Sequence, residues 1–231
     1  MNTEKFNQFL NQISKEPLAV IDVQISLESY YPIAISSQNK DLLQFDISSS
    51  SEWETYIKSF LEQNKAKVAF GGYLEKRNIY DRSEYFKNQL ENEKRNIHLG
   101  IDLWCGENTK VLAALDGEVH SFKNNKNYGD YGPTIILKHQ LESQTFYTLY
   151  GHLTLASIED IKIGDLVLKG NIIGYLGDSS VNGDYAPHLH FQIIRDLEGN
   201  SGDYPGVSSE ENITFYKKNC PDPNLLLKFL V

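Results

Sequence analysis

Two short stretches, His98-Leu99-Gly100-Ile101-Asp102 and His188-Leu189-His190, decide the fold that this sequence predicts. In a β-strand, residues i and i+2 point to the same face of the sheet. Both histidines of the second stretch therefore face one groove, while Leu189 faces the other side. The apolar run Phe191-Gln192-Ile193-Ile194 continues the strand.

The first stretch also suits a strand better than a helix. His98 and Asp102 are four residues apart, the spacing of two ligands on one helix face. However, Gly100 and the β-branched Ile101 lie between them, and Gly106 follows closely. These residues favour a turn that enters a strand. Together the two stretches predict a metal site built on β-strands.

A group of four histidines and one carboxylate is typical of a catalytic zinc site. Two histidines and a carboxylate leave a fourth position for water, whereas structural zinc sites are closed by four protein ligands. Bound zinc lowers the pKa of water from about 15.7 to roughly 7. Two further histidines could act as base, acid or donor to an oxyanion. The spacing alone does not assign which of His152, His188 and His190 binds the metal.

Three motifs in chain order resemble the M23 family of zinc metallopeptidases, the lysostaphin-like or LytM-type endopeptidases. The family pattern is H-x-x-x-D, then a strand that ends in His, then H-x-H. This sequence has the three parts at 98–102, Tyr150-Gly151-His152-Leu153 and 188–190. The resemblance implies one zinc ion held by His98, Asp102 and His190. It implies that the catalytic pair, which orients water and stabilises the oxyanion, is His152 and His188.

The flanking sequence resembles the same family. Three flanking segments carry this resemblance. They are 111–119, which contains the hairpin signal Asp116-Gly117, and the ribbon segments 163–167 and 173–177. The resemblance implies a mainly β fold, an antiparallel β-sheet groove of the duplicated hybrid motif (LytM-like), with an α+β N-terminal appendage. We expect three regions: an appendage at 1–92, the zinc peptidase domain at 93–200 and a tail at 201–231 that packs on the body.

The N-terminal region shows local patterns of its own. The spacing of Phe6, Phe9, Leu10 and Ile13 predicts an amphipathic helix. We further expect strands at 18–23 and 68–74, a helix that opens with a capping box at Ser51 and Glu54, a helix at 83–90 and a short helix in the tail. The N-terminal region either packs against the catalytic body or acts on the groove, by occluding it or by recognising substrate.

Two tyrosines lie in a turn-rich segment at the expected rim of the groove. Tyr128 and Tyr131 belong to Asn124–Pro133, which precedes a predicted strand. Each either contacts substrate or covers apolar surface. Cys105 follows Asp102 by three residues, and we interpret it as a thiol that the zinc site does not need. A pairing of Cys105 with Cys220 stays open.

The family's usual substrate is the cross-link peptide of peptidoglycan, so the implied partner is a peptide or a peptidoglycan-like polymer. From Tyr73 to the tail, the sequence also resembles an M23 subgroup joined to aminotransferase and kinase-like domains in large cytosolic proteins. That resemblance points instead to a cytosolic hydrolase of a small peptide or amide. A third alternative is a non-catalytic LytM-like interaction module, and the complete set of five site residues favours an enzyme over it.

Composition excludes some classes of function. The 231 residues are 40% apolar, enough for a core, and the net charge of −9 without a basic run disfavours nucleic-acid binding. No stretch approaches the length of a transmembrane helix, and the N-terminus has no export signal. The sequence as it stands predicts a cytoplasmic protein, or a periplasmic or extracellular one if a leader was removed. It leaves the oligomeric state open.

Overall fold

One large sheet and two small ones form the body of the molecule, in a computed structural model that describes residues 2–82 and 93–229. The strands are β1 (Tyr30–Pro32), β2 (Val68–Gly71), β3 (Ile97–His98), β4 (Ile101–Trp104), β5 (Lys110–Leu112), β6 (Gly117–Asn125), β7 (Gly132–Leu141), β8 (Gln144–Gly151), β9 (Leu166–Val167), β10 (Ile172–Tyr175), β11 (His188–Ile194) and β12 (Val207–Ser208). The helices are α1 (Thr3–Ile13), α2 (Ser50–Gln63), α3 (Ile213–Asn219) and α4 (Asn224–Leu227), with 3₁₀ turns at Leu27–Ser29, Lys40–Leu43, Ile79–Arg82 and Leu155–Ile158. The helix predicted at 83–90 lies outside the described residues.

The large sheet has eight strands in the order β1-β2-β4-β11-β8-β7-β6-β9. Its neighbours are antiparallel except for β1 and β2, which run parallel. The strands β5 and β10 form one small antiparallel sheet, and β3 and β12 form the other. The prediction of a mainly β, antiparallel fold is therefore confirmed.

The sheet continues from the N-terminal region into the strands that carry the histidine motifs. Strand β2 pairs with β4 through Ala69 opposite Trp104, Phe70 opposite Leu103 and Gly71 opposite Asp102. Strand β12, from the C-terminal region, pairs with β3 beside His98. The backbones of all three regions thus meet at the first motif, and the limits 1–92, 93–200 and 201–231 stay predictions.

The first helix follows from its sequence pattern, as predicted. The side chain of Asn2 accepts a hydrogen bond from the backbone N–H of Lys5 at 2.9 Å, which caps the helix start. Phe6 and Leu10 are buried on the inner face, and Phe6 meets the ring of Phe146 edge to face. This packing supplies most of the stability that a helix of three turns lacks in isolation.

The second helix begins two residues before the predicted capping box. The hydroxyl of Ser49 accepts from the N–H of Glu52 at 3.3 Å, and the carboxylate of Glu52 accepts from the N–H of Asp46 at 2.8 Å. The pair Ser49 and Glu52 has the same S-x-x-E spacing as Ser51 and Glu54. The pattern therefore fits two starts, and the contact with Asp46 favours the earlier one.

Two strand predictions are wrong. The segment 18–23 makes only an isolated bridge, between Ile21 and Val111. The expected hairpin around Asp116 and Gly117 does not form, because β5 pairs with β10 while β6 pairs with β7 and β9. Asp116 is instead held by a distant segment, since its carboxylate accepts from the N–H of Lys169 at 2.7 Å. The predicted tail helix is present as α4, whose Leu226 and Leu227 are buried.

His139, on β7, is a buried structural histidine. Its Nδ1 donates to the carbonyl oxygen of Asp116 at 2.8 Å, and its Nε2 accepts from the Thr148 hydroxyl at 2.7 Å. Burial lowers the pKa of His139 from 6.5 to about 4, although the Asp116 carbonyl opposes that shift. The unfolded chain therefore binds a proton more readily than the folded chain between these two values.

We expect the metal-free protein to lose stability as the pH falls from about 6.5 towards 4, and His139→Gln to lose less. His139 alone should account for about 2 kcal/mol of the loss at a pH near 5, because its stabilising contribution is complete only above 6.5. Urea unfolding with a chelator, at a pH near 7.5 and near 5, measures the difference. Equal losses in the wild type and His139→Gln would contradict this assignment.

None of the helices in the described parts of the chain has both the length and the apolar character needed to cross a membrane.

Candidate metal centre

The five predicted site residues lie together around β4, β8 and β11. Strand β11 pairs with β4 so that His190 is opposite Asp102, and it pairs with β8 on its other side. His98 ends β3, His152 follows β8, and His188 begins β11. All five side chains are at most 5% exposed. Leu189, between the two histidines of β11, is buried in the main apolar core, as the alternation along a strand requires.

Three of these residues converge on one point. The Nε2 atom of His98 lies 2.8 Å from Nδ1 of His190, and each nitrogen lies 3.2 Å from Oδ1 of Asp102. Ligand atoms bound tetrahedrally to zinc at about 2.0–2.1 Å lie about 3.3 Å apart. The spacing and the nitrogen–nitrogen–oxygen donor set therefore fit a zinc ion. Among the described residues, this is the cluster that could hold a metal ion.

Fixed acceptors orient both histidines of this cluster. Nδ1 of His98 lies 3.0 Å from the carbonyl oxygen of Gly72, and Nε2 of His190 lies 2.9 Å from Oε1 of Gln192. An oxygen of this kind can only accept, so each of these nitrogens carries the proton. The lone pairs are then on Nε2 of His98 and Nδ1 of His190, the two atoms that face each other. The hydrogen bonds thus prepare both rings to bind a cation.

The other two histidines are oriented in the same way but stand beside the cluster. Nδ1 of His152 donates to the carbonyl oxygen of Asn182, and Nδ1 of His188 donates to that of Ala186, each at 2.8 Å. Their ring centroids are 4.2 Å apart, and Nε2 of His188 lies 3.9 Å from Oδ1 of Asp102. Both Nε2 atoms therefore carry a lone pair that can accept a proton.

Local structure explains how each of these two rings is placed. His152 has a φ of 65°, an uncommon left-handed conformation that turns the chain sharply after β8. Its N–H donates to the carbonyl oxygen of Tyr131 at 2.9 Å, which holds the turn. His188 stacks on the indole ring of Trp104, with centroids 4.0 Å apart. Neither ring can move without breaking these contacts.

Gly100 is required by the close approach of β11. A Cβ atom at this position would lie 2.7 Å from the imidazole ring of His190, well inside van der Waals contact. The glycine that separates His98 from Asp102 in the sequence therefore gives His190 the space to reach both.

Burial keeps the imidazoles of His98, His152 and His188 neutral. It lowers the pKa of His98 to about 3 and that of His188 to about 4, and it holds the pKa of His152 well below the usual 6.5. Burial alone would raise the pKa of Asp102, but the Arg77 guanidinium that donates to it opposes burial, and that pKa lies well below the usual 3.8. Neutral imidazoles and a carboxylate anion are the protonation states that bind a divalent cation.

The cluster opens into a cavity of about 240 Å³ whose lining includes both tyrosines named from the sequence. Tyr128 is 47% exposed, whereas Tyr131 is buried with its hydroxyl 3.4 Å from Nε2 of His190. Their substrate-binding role stays a prediction. Cys105 and Cys220 are both free thiols and both buried, and neither belongs to the cluster.

Sequence reasoning missed several residues that contact the five. Gln192 is two residues from His190 on the same strand face, so the period of two could have identified it. Trp104, two residues after Asp102, could have been found in the same way. Arg77, which contacts Asp102, belongs to no motif and comes from the N-terminal region. No local pattern indicates its role.

Comparison with known proteins supports a family for the segment that carries the site. Residues 96–203, a little under half of the chain, match the sequence model of peptidase family M23. The chain is 31% identical over 105 residues to lysostaphin of Staphylococcus staphylolyticus, a match that covers 46% of this chain and 20% of lysostaphin. It is 31% identical over 104 residues to the glycyl-glycine endopeptidase ALE-1 of Staphylococcus capitis, which covers 45% of this chain and 26% of that protein.

Among solved structures, the chain is similar to the catalytic domain of the antimicrobial peptidase lysostaphin from Staphylococcus simulans. The sequences are 28% identical with a TM-score of 0.38, over 53% of this chain and 80% of that one. The curated relatives are matched over only about a fifth to a quarter of their length. The similarity to peptidase family M23 therefore lies in residues 96–203, the segment that carries the five site residues. The three motifs that resemble the M23 family all lie within the matched residues.

Proposed function

We propose that this protein is a zinc-dependent metalloendopeptidase. The observation that carries the proposal is the convergence of three buried donor atoms, on His98, Asp102 and His190, with their lone pairs directed at one point. Arg77 pairs with Oδ2 of Asp102, whereas Oδ1 faces the two unprotonated ring nitrogens of His98 and His190, and a cation there would satisfy all three lone pairs. Two histidines outside this set stand next to it with Nε2 able to take a proton, which a purely structural metal site does not need.

Zinc bound to these three residues would supply a water of lowered pKa and would polarise the carbonyl of the scissile amide. The protein residues supply proton transfer and stabilisation of the oxyanion. His152 and His188, with Nε2 unprotonated, take the proton of the attacking water and return it to the leaving amine. Once protonated, either ring donates to the oxyanion that develops on the carbonyl oxygen. The acceptors on Nδ1, the carbonyls of Asn182 and Ala186, stabilise the protonated ring.

For the substrate we propose a peptide with small residues at the cleaved bond, as in peptidoglycan cross-links. The support is the similarity to lysostaphin and to a protein named glycyl-glycine endopeptidase. The cavity of about 240 Å³ is wide enough for small side chains next to the reacting amide. The likeness to M23 domains fused to aminotransferase and kinase-like domains favours instead a short free peptide, and the choice between the two is an experimental one.

The test is the metal content of the purified chain together with peptide hydrolysis. We expect about one zinc per chain, and cleavage of a pentaglycine peptide that stops when zinc is removed by a chelator and resumes when zinc is restored. Parallel assays on purified peptidoglycan separate a wall substrate from a short peptide. Zinc absent from the folded protein after incubation with the metal would contradict the proposal. Zinc without hydrolysis of any peptide would favour the non-catalytic module.

A further inference from the structure

A buried guanidinium from outside the family-matching segment contacts the metal cluster. Arg77 is 3% exposed, and its Nη1 donates to Oδ2 of Asp102 at 2.6 Å. Its Nε donates to a carboxylate oxygen of Glu75 at 2.8 Å. The other oxygen of Glu75 accepts from the N–H of Ile35 at 2.9 Å, which fixes that carboxylate in turn. Arg77 is therefore held between two carboxylates, one of which belongs to the cluster.

We propose that Arg77 is a positioning residue for the metal centre: it holds one oxygen of Asp102 so that only the other faces the two histidines. A carboxylate has two equivalent oxygens and can rotate about its terminal bond. Here Oδ2 is occupied by Arg77, and Oδ1 is the oxygen 3.2 Å from both His98 and His190. Arginine suits this role because its planar fork reaches two carboxylates at once, which a lysine ammonium does in a far less defined geometry.

The backbone next to Arg77 serves the same cluster. The pairing of β2 with β4 places Gly71 opposite Asp102, and the following Gly72 presents its carbonyl oxygen to His98. Gly72 has a φ of 107°, and a Cβ there would lie 3.0 Å from both Nδ1 of His98 and the guanidinium carbon of Arg77. A glycine is needed for the conformation and for the space. One short segment, 71–77, thus orients two of the three donors.

This inference has a consequence for how the chain is divided. The residues that match peptidase family M23 begin at 96, whereas Gly72, Glu75 and Arg77 precede them. The N-terminal region then completes the metal centre in addition to packing on the body. The inference rests on the proposed metal function, because a positioning role requires a metal to be positioned.

The test compares zinc affinity in the full chain for the wild type, Arg77→Met, Arg77→Lys and the control Lys76→Met. The control removes the same charge one residue away, from a side chain that pairs with Glu210 at the surface. Chelator competition should show zinc bound about 10- to 100-fold more weakly by Arg77→Met, the usual effect of losing a partner of a metal ligand. Arg77→Lys should lose less, and Lys76→Met should match the wild type.

A second readout separates positioning from folding. With Co²⁺ in place of zinc, the visible absorption spectrum of Arg77→Met should differ from that of the wild type, because it reports the ligand geometry. An unchanged affinity and spectrum in Arg77→Met would overturn the inference while leaving the metal site intact. A wild type that binds no zinc would refute the proposed function itself. If Arg77→Met does not fold, Glu75→Gln takes its place, and unchanged affinity in that variant overturns the inference.

Discussion

His190→Ala is expected to abolish stoichiometric zinc binding, one of the two largest effects that we predict for a single substitution. Structural zinc sites with four ligands bind with roughly 10–16 kcal/mol, so one ligand contributes about 2.5–4 kcal/mol. Its loss weakens binding about 100- to 1000-fold. His190 also contacts both other donors, at 2.8 Å and 3.2 Å, so its removal leaves His98 and Asp102 without their common neighbour. Metal analysis of the purified, dialysed variant measures the result.

The matched control for His190→Ala is His120→Ala. His120 lies on β6, is partly exposed, and hydrogen-bonds the hydroxyl of Ser121 at 2.8 Å. The His120→Ala substitution removes one histidine from the chain and leaves the three donors unchanged, so about one zinc per chain should remain. Near-stoichiometric zinc in folded His190→Ala would mean that the metal is bound elsewhere, and the assignment of the three ligands would be wrong.

The second large effect is a loss of catalysis without a loss of metal. His152→Asn should lower kcat about 10²- to 10⁴-fold, the range by which a positioned acid or base accelerates a reaction. Asparagine is chosen because it tolerates the left-handed backbone at this position, where φ is 65°, better than alanine does. His188→Asn should act similarly, since the oxyanion loses a donor worth about 10²- to 10³-fold.

The zinc content of both variants decides how the activity is interpreted. His152 and His188 lie beside the three donors, and their Nδ1 atoms are engaged by backbone carbonyls. About one zinc per chain should therefore remain in each. Wild-type activity in His152→Asn would remove that residue from the mechanism. Loss of zinc in His188→Asn would instead place His188 among the ligands, which its 3.9 Å distance from Asp102 does not favour.

Local patterns in the sequence predicted the elements of the site, because each pattern depends on residues that are close together in the chain. The period of two around His188 and His190 gives β11, and Gly100 with Ile101 gives the entry into β4. The amphipathic period gives α1. The grouping of the three motifs into one site was predicted from their resemblance to a family. No local rule states that β11 lies between β4 and β8.

The wrong predictions and the missed residue Arg77 share one cause, which is pairing with segments that are distant in the sequence. The turn signal at Asp116 and Gly117 does not produce a hairpin, because β5 pairs with β10 and β6 pairs with β7. The apolar segment 18–23 has a strand-like composition, yet it forms one bridge only. Arg77 could not have been identified, because its partner Asp102 is 25 residues away and the pairing depends on β2 lying next to β4. Long-range pairing decides such cases, and composition does not encode it.

The two outer strands of the large sheet are very short. Strand β1 has three residues and ends in Pro32, and β9 has two residues. A proline has no N–H to offer, and so few backbone groups give a further strand little to pair with. An eight-stranded sheet with long edges would invite pairing between molecules and the growth of aggregates. In the described part of the chain, the sheet thus ends on both sides in strands that offer few backbone groups for pairing between molecules.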